Sequence, residues 1–148
     1  MNKVVTAVLL ILIAGTLYAG YVFFRPVSTT QIVIGGVTLN LEIAATAADQ
    51  QKELSDRTSM APDHGMLFVF DSEGNWGFWM KDMRFPLDII WFNSQRNAVF
   101  IEQDLLPCTL QDCPVYTPPV KAMYVLEVNA GLVRAYNISL GDTFNLVG

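Results

Sequence analysis

Histidine is nearly absent from this chain, with His64 the single example, and cysteine occurs twice. One histidine and two thiols make a poor zinc ligand set, and a Ser-His-Asp reading would have to rest on His64 in PDHGM, where no GxSxG or comparable nucleophile context occurs. A glycine-rich phosphate loop opening a helix is missing as well. The residues therefore point to no metal and no cofactor. Positive charge is also scarce: beyond Arg25 seven basic residues stand against fourteen acidic ones, a formal charge of −7. Nucleic acid is not an expected partner of such a surface.

What the chain has in excess is apolar sequence, and much of it comes first. Residues 4–24, VVTAVLLILIAGTLYAGYVFF, are uncharged between Lys3 and Arg25. As a helix this run would span roughly 32 Å, enough to cross a bilayer. A cleaved signal peptide is the rival reading, but its apolar region is shorter, about 7–15 residues, and Leu17-Tyr18-Ala19 imitates a small-x-small cleavage site poorly. The expectation is a retained membrane anchor over 1–25, a short tether over 26–30 and one domain over 31–148. Lys3 and the terminal amine ahead of the span, against Arg25 behind it, orient the domain outward from the cytoplasmic membrane as a single-pass protein.

Cys108 and Cys113, in PCTLQDCP, close a short loop between prolines, as expected of a disulfide in an oxidising compartment. The four-residue spacing differs from the CxxC redox pattern.

The domain reads as β. QIVI and VTLNLEIA alternate around Gly35-Gly36 as a hairpin, and Thr46 followed by Asp49 predicts the start of a short helix in TAADQQKELS. MLFVF is a strand, DSEGN a turn, and WGFWMK another strand. LDIIWFN and AVFIE make a second hairpin, and residues 103–120 an irregular loop. MYVLEVN is a strand, Asn129 a candidate cap for a short helix through AGLVRAY, and TFNLV a final strand. About eight strands and two short helices without βαβ alternation predict a mainly β domain: a sandwich, jelly-roll-like or barrel body.

Candidate functional residues come from charges set among apolar ones. In LDIIWFN, Asp88 shares a strand face with Ile90 and Phe92, and in MYVLEVN, Glu127 shares one with Met123 and Val125. A carboxylate left charged there without partners costs several kcal/mol, so Asp88 must be paired, hydrogen-bonded or protonated. On one reading it binds backbone amides of the MRFP corner and Glu127 lies at a solvent-exposed strand end. On the other, Trp79, Lys81 and Asp88, with Arg57 and Glu127, form the floor of a polar pocket. A turn of residues 82–86 pairs Lys81 with Leu87; a turn of 82–87 pairs Lys81 with Asp88.

Beyond these local readings, GMLFVF, FWMKDMRFPLDIIWFN, PC followed by CPVY, and YVLEVNAG followed by Gly141-Asp142 resemble, in that order, the prokaryotic family called domain of unknown function 192. The resemblance implies a compact, mainly β domain, often exported, with no settled activity. Arg57, Met60, Gly65, Met66, Trp79, Met80, Lys81, Pro86, Leu87, Asp88, Glu127 and Gly131 fall on family positions. Asp82 departs from the asparagine common after the lysine, and KELSDR from a Gly-Leu-Met type segment.

The function expected is a non-catalytic ligand-binding or interaction module of the cell envelope, with Arg57, Trp79, Lys81, Asp82, Asp88 and Glu127 as candidate ligand-binding residues. Its partner would be envelope glycan, a small polar ligand or an envelope protein, besides the membrane through 4–24. The alternative is a saccharide hydrolase using two carboxylates from Asp82, Asp88 and Glu127, which need an open cleft and a separation of about 5–9.5 Å.

Overall fold

The structure, a computed structural model, describes residues 29–52, 54–55 and 57–147. The expected anchor and most of the tether lie outside the described residues; among those described, no helix is long and apolar enough to cross a membrane. The domain is mainly β, with two short helices. Its strands are β1 (Thr29–Ile34), β2 (Val37–Ala44), β3 (His64–Gly74), β4 (Phe78–Trp79), β5 (Leu87–Phe92), β6 (Ala98–Leu105), β7 (Val115–Tyr116), β8 (Ala122–Asn129) and β9 (Asn145–Val147). The helices are α1 (Ala47–Lys52) and α2 (Leu132–Ala135). Seven strands form one sheet in the order β6-β5-β8-β3-β2-β1-β9, while β4 and β7 pair separately.

Local chemistry explains the first elements. Gly35 and Gly36, at φ 57° and 80°, turn the β1–β2 hairpin with Ile34 opposite Val37 and Ile32 opposite Leu39. Positive φ at two successive positions suits glycine. A side chain at Gly35 would also strike Ile138, with its Cβ 2.8 Å from Cγ1. The predicted start of α1 is present: the Asp49 amide donates to Thr46 Oγ1 at 3.2 Å, and that hydroxyl donates to Asp49 Oδ2 at 2.6 Å.

Two apolar cores lie on the two faces of the main sheet. Met66, Phe68, Leu87, Ile89, Trp91 and Val125 build the first, covered by Phe78, Met80, Met83, Phe85 and Cys108. Ile32, Leu39, Leu41, Leu67, Ile90, Phe92, Leu126 and Val128 build the second, with Leu132, Val133, Ile138 and Phe144. Every residue of β5 is buried, because this strand sits between β6 and β8 with a core on each side. Trp91 illustrates the cost of that position: its buried indole N–H needs an acceptor and donates to the Trp76 carbonyl at 2.8 Å.

Several expectations are corrected. The lysine strand and the LDIIWFN strand do not pair, so neither register of Lys81 against Leu87 or Asp88 occurs: β4 pairs with β7, Trp79 opposite Val115. Met80, Met83 and Phe85 are buried between the two strands, so the corner is itself core, and the chain changes layers there. One β–α–β unit exists after all, since β2 and β3 are parallel across the α1 connection. DSEGN does not end its strand; β3 runs on to Gly74 through a register shift after Val69. Gly131, at φ 87°, caps α2 in place of Asn129, whose amide Nδ2 donates to the Ala61 carbonyl at 3.0 Å and the Met60 carbonyl at 3.2 Å.

The edges of the sheet approach each other. Asn97 bridges Thr143, the Ala98 amide donates to the Asp142 carbonyl at 2.8 Å, and the Phe144 amide donates to the Arg96 carbonyl at 3.2 Å. These contacts bring the segment leading into β9 against the start of β6.

Candidate functional site

Asp88 is fully buried on the second-core face. Its Oδ1 accepts the Asp104 amide at 2.8 Å and its Oδ2 the Val133 amide at 2.9 Å. The donors are thus not those of the MRFP corner. One comes from the end of β6, where Asp104 takes a left-handed backbone at φ 54°, and the other from the first turn of α2. Each amide would otherwise be stranded, and the carboxylate meets the positive end of the helical turn. Both oxygens are committed to the fold, so Asp88 is withdrawn from hydrolytic chemistry.

Glu127 is also buried, at 2% exposure, which overturns its placement at a solvent-exposed strand end. It lies inside β8 with Met66 on one side and Ile89 on the other. Its side chain therefore shares the first-core face with those residues, whereas Asp88 points to the opposite face. Two carboxylates separated by a sheet cannot flank one glycosidic bond.

The register sets Glu127 in a row across the sheet: Glu42, Met66, Glu127, Ile89, Glu102. Arg57 closes over one end of it, its guanidinium making a bidentate pair with Glu42, with Nη2 2.6 Å from Oε2. That hydrogen bond raises the Arg57 pKa further above its usual value, against the opposing effect of partial burial. Arg57 remains about a third exposed. Glu42 is the residue that sequence reasoning missed; it occupies a polar position of an alternating strand and carries no local sign of its partner 15 residues on.

Trp79, Lys81 and Asp82 lie together on the smaller layer. Lys81 Nζ sits 5.3 Å from the centroid of the Trp79 ring, a cation–π distance, and Trp79 is 43% exposed. Lys81 bridges Cys108, whose amide donates to the Met80 carbonyl at 2.9 Å and whose carbonyl accepts the Asp82 amide at 3.1 Å. The Cys108–Cys113 disulfide is formed and closes this loop, while the Cys108 backbone bonds join it to the Trp79 layer. Asp82 is exposed at φ 58°, a left-handed conformation that asparagine and aspartate tolerate better than most residues. Backbone geometry alone therefore accounts for an Asn-or-Asp position after the lysine. Among the described residues no group of three or more His, Cys, Asp or Glu is placed to hold a metal ion.

The fold and these contacts define a small mainly β domain with buried structural carboxylates and an aromatic–cation pair beside a disulfide-closed loop. The chain belongs to the DUF192 family, described as "Uncharacterized ACR, COG1430", which it matches over residues 30–146. It is similar to UPF0127 proteins of Thermococcus gammatolerans, 32% identical over 82 residues, and Thermococcus kodakarensis, 30% identical over 82 residues. Each of those alignments takes in 54% of this chain, and the chain spans about half the length of these curated relatives, 50% and 48%. Among solved structures, a Sinorhizobium meliloti protein proposed to be a transcription regulator matches with TM-score 0.76 and 29% identity, over 83% of this chain and 97% of that one. A Novosphingobium aromaticivorans protein of unknown function matches with TM-score 0.74 and 29% identity, over 82% and 89%.

Proposed function

We propose that the chain is a non-catalytic ligand-binding or interaction module of the cell envelope, held outside the cytoplasmic membrane by residues 4–24. In this reading Trp79, Lys81 and Asp82 face the ligand, Arg57 contributes a second cationic point, and Asp88 and Glu127 hold the body beneath. The body itself is a rolled sheet of jelly-roll-like or barrel type, a description supported by the bridge between Asn97 and Thr143. The observation that carries the reading is the burial of Asp88 and Glu127 on opposite faces of one sheet, while Trp79, with the Lys81 ammonium 5.3 Å from its ring centroid, is exposed. An exposed tryptophan beside a lysine suits a sugar ring or another polar molecule with a flat apolar face. The regulator description given to the Sinorhizobium protein does not transfer easily, because a surface of charge −7 repels nucleic acid.

The test is a thermal-shift screen of envelope glycan fragments and small polar molecules on residues 26–148, since a ligand of the native state raises stability by mass action. A ligand that raises the midpoint of the parent but not of Trp79→Ala supports the reading; no shift, or an equal shift in the variant, rejects this face. The membrane half is tested separately. The full-length protein is expected to retain Met1 or Asn2 at its N-terminus and to need detergent, and a soluble form starting between Gly20 and Val27 would sink the anchor.

A further inference from the structure

The second core is closed unequally at its two ends. At the Asp88 end, α2 lays Leu132 and Val133 over the sheet and Asp88 pins the helix by the Val133 amide. At the other end, near the pairing of Phe92 with Tyr124 and of Val69 with Tyr124, no helix among the described residues covers the sheet. A groove of about 520 Å³ opens there, floored by Ile43, Leu67, Val69 and Tyr124 and walled by Phe144 and Arg96. That volume is on the scale of small-molecule sites, roughly 300–1,000 Å³.

One residue gives the groove its chemistry. Among the described residues Arg96 is the one charged residue lining it, beside apolar, aromatic and hydroxyl side chains. Its guanidinium carbon lies 5.9 Å from the Phe144 ring centroid, and that ring packs edge-on against both Phe92 and Tyr124. The cation is thus stacked on the groove's own aromatic wall. Its backbone sits at φ 66° in the β5–β6 turn, a conformation for which glycine or asparagine is the ordinary choice. The backbone of the turn gives no reason for a large cationic side chain at this position. Glu73, which reaches the same turn, is engaged elsewhere: its Oε1 accepts the Ser94 amide at 2.7 Å and it has Lys121 as a charged neighbour.

We propose that this groove binds an amphipathic anion, an aliphatic carboxylate of middle chain length, with its tail along Ile43, Leu67 and Val69 and its carboxylate on the Arg96 fork. A guanidinium presents two parallel N–H donors to a carboxylate, and each methylene of the tail removed from water adds to binding. The site is distinct from the Trp79–Lys81 face and does not depend on it.

The test uses residues 26–148. The core residues among those described all lie within residues 32–144, and the match to the Sinorhizobium protein takes in 97% of that chain, which supports testing the domain by itself. Decanoate, decanol and decyltrimethylammonium are titrated by calorimetry, with methyl NMR of Ile43, Leu67 and Val69 to locate binding. Saturable binding of decanoate with shifts at those methyls is expected, with decyltrimethylammonium weaker by about tenfold or more. Arg96→Gly, which places the preferred residue in the turn, should keep the ligand-free thermal midpoint and lose that preference. Trp79→Ala should bind decanoate as the parent does. Absence of saturable decanoate binding, equal binding of the cationic probe, shifts confined to other methyls, or unchanged affinity in Arg96→Gly would each overturn the proposal.

Discussion

Asp88 and Val133, 45 residues apart, are joined by a 2.9 Å hydrogen bond from amide to carboxylate, and the second oxygen of the same side chain holds the Asp104 amide. One buried aspartate therefore fastens both the end of β6 and the start of α2 to the central strand β5. Asp88→Ala leaves two amides without their acceptor and is expected to cost roughly 2–4 kcal/mol in urea unfolding. Lys81→Ala should cost under about 1 kcal/mol, and because the lysine layer covers the opposite face, the two losses should add. A coupling energy above about 1 kcal/mol in the double mutant would mean that the two side chains interact.

The disulfide makes a second prediction. Cys108 is part of the first core and its loop is laced to Met80 and Asp82, beside Trp79. Cys108→Ser with Cys113→Ser should lower stability by about 2–3 kcal/mol at most, since the closed loop is short. The Trp79 layer should loosen first. Faster quenching of the exposed indole with little change in sheet signal by circular dichroism is the expected outcome; a global loss of β structure would contradict it.

How much of this was legible beforehand follows from how far apart the interacting residues lie. The Gly35-Gly36 hairpin, the Thr46–Asp49 cap and the Cys108–Cys113 pair are local, and residue type at short spacing specified each. The same alternation that placed Asp88 among Ile90 and Phe92 showed that it needed partners. Which partners was not legible, because Asp104 and Val133 carry the bonds on their backbone amides and leave no side-chain mark. The corner at 80–86 hides its role for a related reason: Met80, Met83 and Phe85 look like the end of one strand and a turn, and only the layer change makes them core. The parallel β2–β3 pair was hidden by the thinness of α1, and Glu42 by the distance to Arg57.

Asp82 separates backbone need from ligand need. At φ 58° and exposed, it should be replaceable by asparagine within about 0.5 kcal/mol, whereas Asp82→Ala should cost roughly 1 kcal/mol from the left-handed backbone alone. Denaturant titration of the two variants decides the matter. Equal losses would show that the carboxylate, and not the backbone, is what the position requires.

Acid sensitivity gives the last prediction. Glu73 accepts the Ser94 amide, and that hydrogen bond, with Lys121 adding a smaller attraction, holds its pKa below the usual glutamate value. A carboxyl group whose folded pKa is depressed stabilises the fold above its unfolded pKa, about 4.3, and loses that contribution as pH falls through the folded value. Glu73→Gln keeps an oxygen for the Ser94 amide and removes the charge. The parent should therefore be the more stable protein near neutral pH, and the difference between the two thermal midpoints should shrink below about pH 4 and vanish at the acid end of the scan. Because Glu73 is fully exposed, solvent and salt weaken the effect, and raising the ionic strength at pH 7 should narrow the same gap. A difference that persists unchanged to low pH would locate the loss in the geometry of the turn at Ser94, not in the charge.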